Sequence, residues 1–147
     1  MGTPQENNAF RSPEDYELFI YTLQEQYPAI LHSTLVFARR GATLARLSGS
    51  ITFPNNIRLE IVERLVFDRL PLRIDGYGYE IWHEQEKLYW YDSQPHPNEP
   101  SLQSTHPHHK HIPPNIKQNR IPAPNLSFTK PNLPFLITEI LQLPEFS

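Results

Sequence analysis

The stretch "TLARLSGSITFPNNIRLEIVERLVFD", residues 43–68, decides the fold. In its first half Ala45, Leu47, Gly49, Ile51 and Phe53 fall on one side of an extended chain, and Arg46, Ser48, Ser50 and Thr52 on the other. In its second half Ile57, Leu59, Ile61, Leu65 and Phe67 stand against Arg58, Glu60, Val62 and Arg64. A period of two is the mark of a strand, and alternating apolar and polar positions mark an antiparallel sheet with one face covered and one face wet. The "PNN" at residues 54–56 is a turn. Glu63 breaks the pattern, because it puts a carboxylate in the apolar row. Burial raises the pKa of such a group. Its commonest partner is an arginine, and Arg46 and Arg64 are near in sequence.

Working outward, "AILHSTLVFARRG" (29–41) reads as strand ended by Gly41, and "LRIDGYGYEIWH" and "KLYWYD" flank the polar turn "EQE" as a further hairpin. Upstream, "SPEDYELFIYTLQEQYP" (12–28) reads as a helix. Ser12 is its N-cap, Pro13 takes the first helical position, and Glu14 and Asp15 suit the positive end. Tyr16, Phe19, Ile20, Leu23 and Tyr27 form one stripe at helical spacing, and Pro28 stops the helix. After Asp92 the alternation ends. A Pro/His-rich loop is expected over 94–131, and "PFLITEILQL" reads as a short C-terminal helix. The expected fold is α+β, with the N-terminal helix packed on a twisted antiparallel sheet of about five strands. One domain is expected over 1–147, divided into a loose N-terminus (1–11), helix plus strands (12–93), the loop (94–131) and a C-terminal helix and tail (132–147).

Composition narrows the function. There is no cysteine, which excludes thiolate chemistry and disulfides and limits any metal site to His, Asp and Glu. The net charge of -3 gives no overall attraction to nucleic acid. No apolar run approaches the roughly 18 residues of a membrane span, and the N-terminus lacks the character of a signal peptide, so a cytoplasmic protein with no membrane partner is expected.

The segment "QPHPNEPSLQSTHPHHKHIPP" (94–114) holds five of the seven histidines and six prolines. So many prolines argue against helix or central strand. They also stiffen the chain, so the segment is expected to dock on the strands as a strap. His96, His108 and His111 are expected to cluster there with Asp92.

Two motifs stand out: "YDSQPHP", with Tyr91, Asp92, Pro95 and His96, and "PHHKH", with Pro107, His108, His109, Lys110 and His111. Preceded by the hairpin tyrosines Tyr77, Tyr79 and Tyr89, they resemble the TumE-like toxin family of prokaryotic type II toxin–antitoxin systems. The resemblance implies a toxin that pairs with a helix-turn-helix antitoxin. RNA cleavage is the commonest chemistry for toxins of this size.

Residue chemistry leaves three readings open. In the first, RNA is cleaved without metal. His108 and His111 act as acid and base, Lys110 stabilises phosphorane charge, Asp92 orients an imidazole and His96 is a second-line catalytic group. Tyr77, Tyr79, Tyr91 and His109 would then contact the substrate, by stacking on bases or donating to phosphate. In the second, the histidines bind a divalent ion, with zinc the natural candidate and Asp92, His96 and Glu63 available to complete a shell. In the third, the imidazoles hold the strap through hydrogen bonds to loop carbonyls, and the Tyr/Trp hairpin is packing. A non-catalytic module that binds protein through a sheet edge is the rival from another class.

Overall fold

The computed structural model describes residues 9–147. Its strands are β1 (His32–Ser33), β2 (Val36–Arg39), β3 (Leu44–Phe53), β4 (Ile57–Val66), β5 (Arg73–His83), β6 (Glu86–Asp92), β7 (His109–His111) and β8 (Arg120–Pro122). Its helices are α1 (Pro13–Tyr21), the single turn α2 (Leu23–Gln26) and α3 (Leu133–Leu141).

The alternating stretch forms β3 and β4, paired antiparallel from Leu44↔Val66 to Phe53↔Ile57. The turn between them holds Asn55 and Asn56 at positive φ, a conformation asparagine tolerates better than most residues. Leu47, Ile51, Phe53, Ile57 and Leu59 are all essentially inaccessible to water. Each such side chain contributes about 1.5–3 kcal/mol of hydrophobic stabilisation.

The sheet has eight antiparallel strands in the order β1-β3-β4-β5-β6-β7-β8, with β2 sharing the β3 edge with β1. This exceeds the five expected, for two reasons. The segment 29–41 splits into β1 and β2, separated by Thr34 and Leu35. Gly49 sits opposite this break with φ +138, and a Cβ there would lie 2.6 Å from the Thr34 carbonyl oxygen. Only glycine lets the two backbones approach so closely. Secondly, the proline-rich segment is not all loop. His109, Lys110 and His111 retain their backbone N–H groups between flanking prolines, and they form a strand hydrogen-bonded on both sides, to β6 and to β8. Proline occurs in the outermost strand, as Pro122, where a missing donor is tolerated.

Both α1 and α3 cover the same face of the sheet. Ser12 caps α1, its hydroxyl accepting from the Asp15 N–H at 3.1 Å. Tyr16, Phe19, Ile20 and Leu23 are buried as the stripe requires. The expected single helix breaks at Thr22, whose hydroxyl donates to the Leu18 carbonyl at 2.6 Å, a bond that competes with the helical ladder. Residues 1–8 of the expected loose N-terminus lie outside the described residues. Ala9 and Phe10, also assigned to it, are buried, and Phe10 packs edge-on against Tyr16. Leu133, Leu136, Ile137 and Ile140 of α3 complete the core. No helix among the described residues is long and apolar enough to cross a membrane.

Glu63 is fully buried among these elements. Its partners are not arginines. The Tyr16 hydroxyl donates to one carboxylate oxygen at 2.6 Å and the Tyr79 hydroxyl to the other at 2.5 Å, while the Asn132 side-chain amide donates to the Tyr79 oxygen at 3.0 Å. Arg46 and Arg64 sit at strand positions of the opposite parity, so their side chains leave the uncovered face. Burial pushes the Glu63 carboxyl up to about 7, against the opposing effect of the two tyrosine hydrogen bonds.

Candidate functional site

Pairing of β6 with β7 places Trp90 opposite His111, Tyr91 opposite Lys110 and Asp92 opposite His109. Side chains alternate across a strand, so Trp90, Asp92, His109 and His111 share the face opposite the helices, which is overlain here by His96 and the Ile116 segment, and Tyr91 and Lys110 share the helix-covered face. On the face opposite the helices the His109 Nε2 lies 2.7 Å from Asp92 Oδ1, and the His111 Nε2 lies 3.5 Å from Asp92 Oδ2. The two Nε2 atoms are 3.1 Å apart. The Nδ1 atoms face backbone carbonyls, those of Pro107 at 3.1 Å and Ile116 at 2.7 Å. The His111 ring also stacks on Trp90, with centroids 3.8 Å apart. His96 packs edge-on against His109 at 4.7 Å and is the more open imidazole.

The electrostatics follow from this packing. Burial works to raise the Asp92 carboxyl, but the His109 hydrogen bond and charge, the Gln94 backbone N–H and the His111 charge together hold it below its usual value. Burial lowers the pKa of His111, and Asp92 opposes that shift only in part. His96 is lowered by desolvation and by the charge of Arg120.

Two clefts meet at Asp92. One, of about 780 Å³, is lined by Arg46, Arg64, Gly76, Gly78, Gln94 and Phe128. Gly78 pairs with Asp92 across β5 and β6 and leaves a trough, since a Cβ there would meet nothing within 4 Å. The Arg64 guanidinium lies over Gly76, and neither Arg46 nor Arg64 forms an ion pair with a carboxylate among the described residues. The other cleft, about 410 Å³, is lined by Lys87, Trp90, His96, His111, Lys117 and Arg120. A further hollow of about 830 Å³ at the far end of the sheet is lined by Arg58, His83, Glu84 and Glu86.

The expected site residues therefore divide. Asp92, His96, His109 and His111 come together. His108 does not join them; its Nδ1 is 2.6 Å from the Tyr77 hydroxyl, against Phe128. Lys110 leaves the other face of β7, where its ammonium lies 3.3 Å from Glu139 and 4.2 Å from the Tyr89 ring centroid. Tyr77, Tyr79 and Tyr91 are buried; the Tyr79 hydroxyl serves Glu63, and the Tyr91 hydroxyl donates to Glu139 at 2.9 Å. Glu63 is on the covered face and takes no part in an Asp92 shell. Sequence reading did not single out Arg46, Arg64, Arg120 and Trp90 as site residues. Strand parity was the available signal for the first two, since both fall in the polar row of the opening stretch.

The family model described as Toxin TumE matches residues 20–143. This chain belongs to the TumE toxin family. The match runs from α1 through α3, so it takes in both the meander and the histidine strand of the TumE fold seen here. Neither a curated protein nor a solved structure matches the chain.

Proposed function

We propose that this toxin cleaves RNA at the Asp92 cluster, on the face of the sheet opposite the helices. The observation that carries the reading is the position of Asp92 where two clefts meet, one holding Arg46 and Arg64 beside Asp75, the other holding Lys87, Lys117 and Arg120. A single-stranded backbone needs a cationic path and aromatic faces along it. Arg46 and Arg64 supply the path on one side, Lys117 and Arg120 on the other, and Trp90 supplies an aromatic face. The tyrosines expected to stack on bases are replaced in this role by Trp90, because they are buried.

Cleavage by an internal 2'-hydroxyl needs a proton acceptor, a proton donor and a cation for the phosphorane. His96 is the acceptor in this scheme: it is the open imidazole of the cluster, and its lowered pKa keeps it neutral near pH 7. In the metal-free protein the His109–Asp92 pair carries the proton for the leaving oxygen. Arg120 takes the place expected of Lys110, since it lines the same cleft as His96 and Lys110 does not. The partner is a neutralising antitoxin, expected to be of helix-turn-helix type.

The test is incubation of the purified chain with end-labelled single-stranded RNA. Products ending in 2',3'-cyclic phosphate are expected, with the rate falling by roughly a hundredfold or more in His96→Ala, the scale of one lost acid–base group. No cleavage, together with tight binding of a helix-turn-helix partner, would overturn the nuclease reading in favour of a binding module.

A further inference from the structure

His109 and His111 present an unusual combination of locked tautomers and facing lone pairs. A backbone carbonyl only accepts, so the contacts to Pro107 and Ile116 place a proton on Nδ1 of both rings. In the neutral state each imidazole then carries a bare lone pair at Nε2. These two lone pairs face one another at 3.1 Å, and the Asp92 carboxylate faces both, at 2.7 Å and 3.5 Å. The rings are 1% and 3% exposed, so water does not relieve the repulsion. A single proton, on His109 Nε2 and bonded to Asp92, satisfies one of the three contacts and is the proton an entering cation displaces. A cation at their centre satisfies all three.

The spacing agrees with such an ion. Ligands held at 2.0–2.1 Å in a tetrahedron lie about 3.4 Å apart, close to two of the three separations. The third opens by roughly 0.7 Å on binding by the same measure. A ligating imidazole typically donates its other N–H to a carbonyl or carboxylate, which fixes the ring and raises its basicity; both rings already do so. Placement on one strand at i and i+2, paired to the strand bearing Asp92, makes the set rigid before any ion arrives. Two imidazoles and one carboxylate suit zinc and similar ions, whereas magnesium and calcium favour oxygen-only sets.

We propose that Asp92, His109 and His111 form a divalent metal site of the zinc class, with its fourth position open towards His96. A ring nitrogen of His96 lies within 4.8 Å of the ligand atoms of Asp92 and His109, on the cleft side. An open position of this kind holds a water or a substrate oxygen, with His96 beside it to exchange the proton. The site is argued from tautomers and distances within the cluster and not from the RNA reading; with an ion bound, His109 and Asp92 are its ligands, and the leaving-group proton comes from the water at the open position instead.

The experiment is titration of chelator-stripped protein with zinc sulfate in competition with a chromophoric chelator. About one equivalent is expected to bind with submicromolar affinity, as a preformed three-ligand site requires. His109→Ala, His111→Ala and Asp92→Asn are each expected to weaken it by roughly a hundredfold or more, His96→Ala by less than roughly tenfold, and the exposed His106→Ala not at all. Millimolar or substoichiometric binding overturns the site, as do ligand variants that bind as tightly as the parent. An equal loss in His96→Ala overturns the open fourth position. If the ligand variants do not fold, the parent protein decides: one equivalent of zinc must shift the Nε2 resonances of both His109 and His111, and unchanged resonances overturn the proposal. RNA cleavage without zinc binding sinks the metal site alone, and zinc binding without cleavage sinks the nuclease reading alone.

Discussion

Glu63 makes stability depend on pH in a way that isolates one residue. Its carboxyl has an ordinary value of 4.5 and is pushed to about 7 in the folded chain. A folded-state pKa above the unfolded one means that the native protein binds more protons between those values. Stability from this group is therefore fully present below about pH 4.5 and is lost as pH rises through about 7. Integrated between pH 5 and pH 7, the loss is about 2 kcal/mol. Glu63→Gln removes the titration yet keeps an oxygen to accept one tyrosine bond and an N–H to donate to the other tyrosine oxygen. Urea unfolding of both proteins at half-unit intervals from pH 5 to 8 gives the difference directly. His96, His108 and His111, whose lowered values act with the opposite sign, cancel in the subtraction. The wild type is expected to lose about 2 kcal/mol relative to Glu63→Gln across that interval. A difference that stays flat from pH 5 to 7 would refute the account, and so would one that grows in the wild type's favour.

Glu63→Ala strands the Tyr16 and Tyr79 hydroxyls, so urea unfolding at pH 6 is expected to show a cost of about 1–3 kcal/mol; a neutral result would mean that water replaces the carboxylate. Gly49→Ala combines a forced positive φ with a clash on the Thr34 carbonyl, and a loss of roughly 1–3 kcal/mol is expected; an unchanged unfolding midpoint contradicts the close approach of the Thr34–Leu35 break to β3. Gly78→Leu fills the trough beside Asp92 without backbone strain. RNA cleavage is expected to fall by roughly tenfold or more with little change in thermal midpoint, and undiminished cleavage excludes that cleft from the RNA path. Arg46→Ala combined with Arg64→Ala is expected to reduce the slope of log affinity against log salt by about 1.4 for single-stranded RNA, and an unchanged slope places the phosphates elsewhere.

Much of the fold is legible in the polar and apolar rows of residues 43–68, because a half-covered sheet writes its two faces into the sequence. Glu63 stands out there for the same reason. Its partners do not, since Tyr16 and Tyr79 reach it from a helix and a neighbouring strand, a meeting set by packing. The histidine segment is legible in composition and misleading in form. Prolines at 107, 113 and 114 mask the three-residue run that keeps its N–H groups, and without strand parity Lys110 reads as the neighbour of His111 when the two leave opposite faces. Arg120 pairs with His111 across β7 and β8, a neighbour relation that no local pattern records.

The histidine strand also sets when the site comes into being. The meander β3–β4–β5–β6 is joined by short connections, 54–56, 67–72 and 84–85, so its closure costs little loop entropy. β7 can be clamped from both sides only after β8 has been made, and α3, whose Glu139 meets Lys110 on the covered face of β7, lies later still. A chain emerging from the ribosome thus carries Asp92 long before it carries the strand that completes the cluster. The assembled cluster therefore exists only in a chain that has been made past β8, and a chain truncated before Arg120 is expected to be harmless to the cell that makes it even where the meander folds.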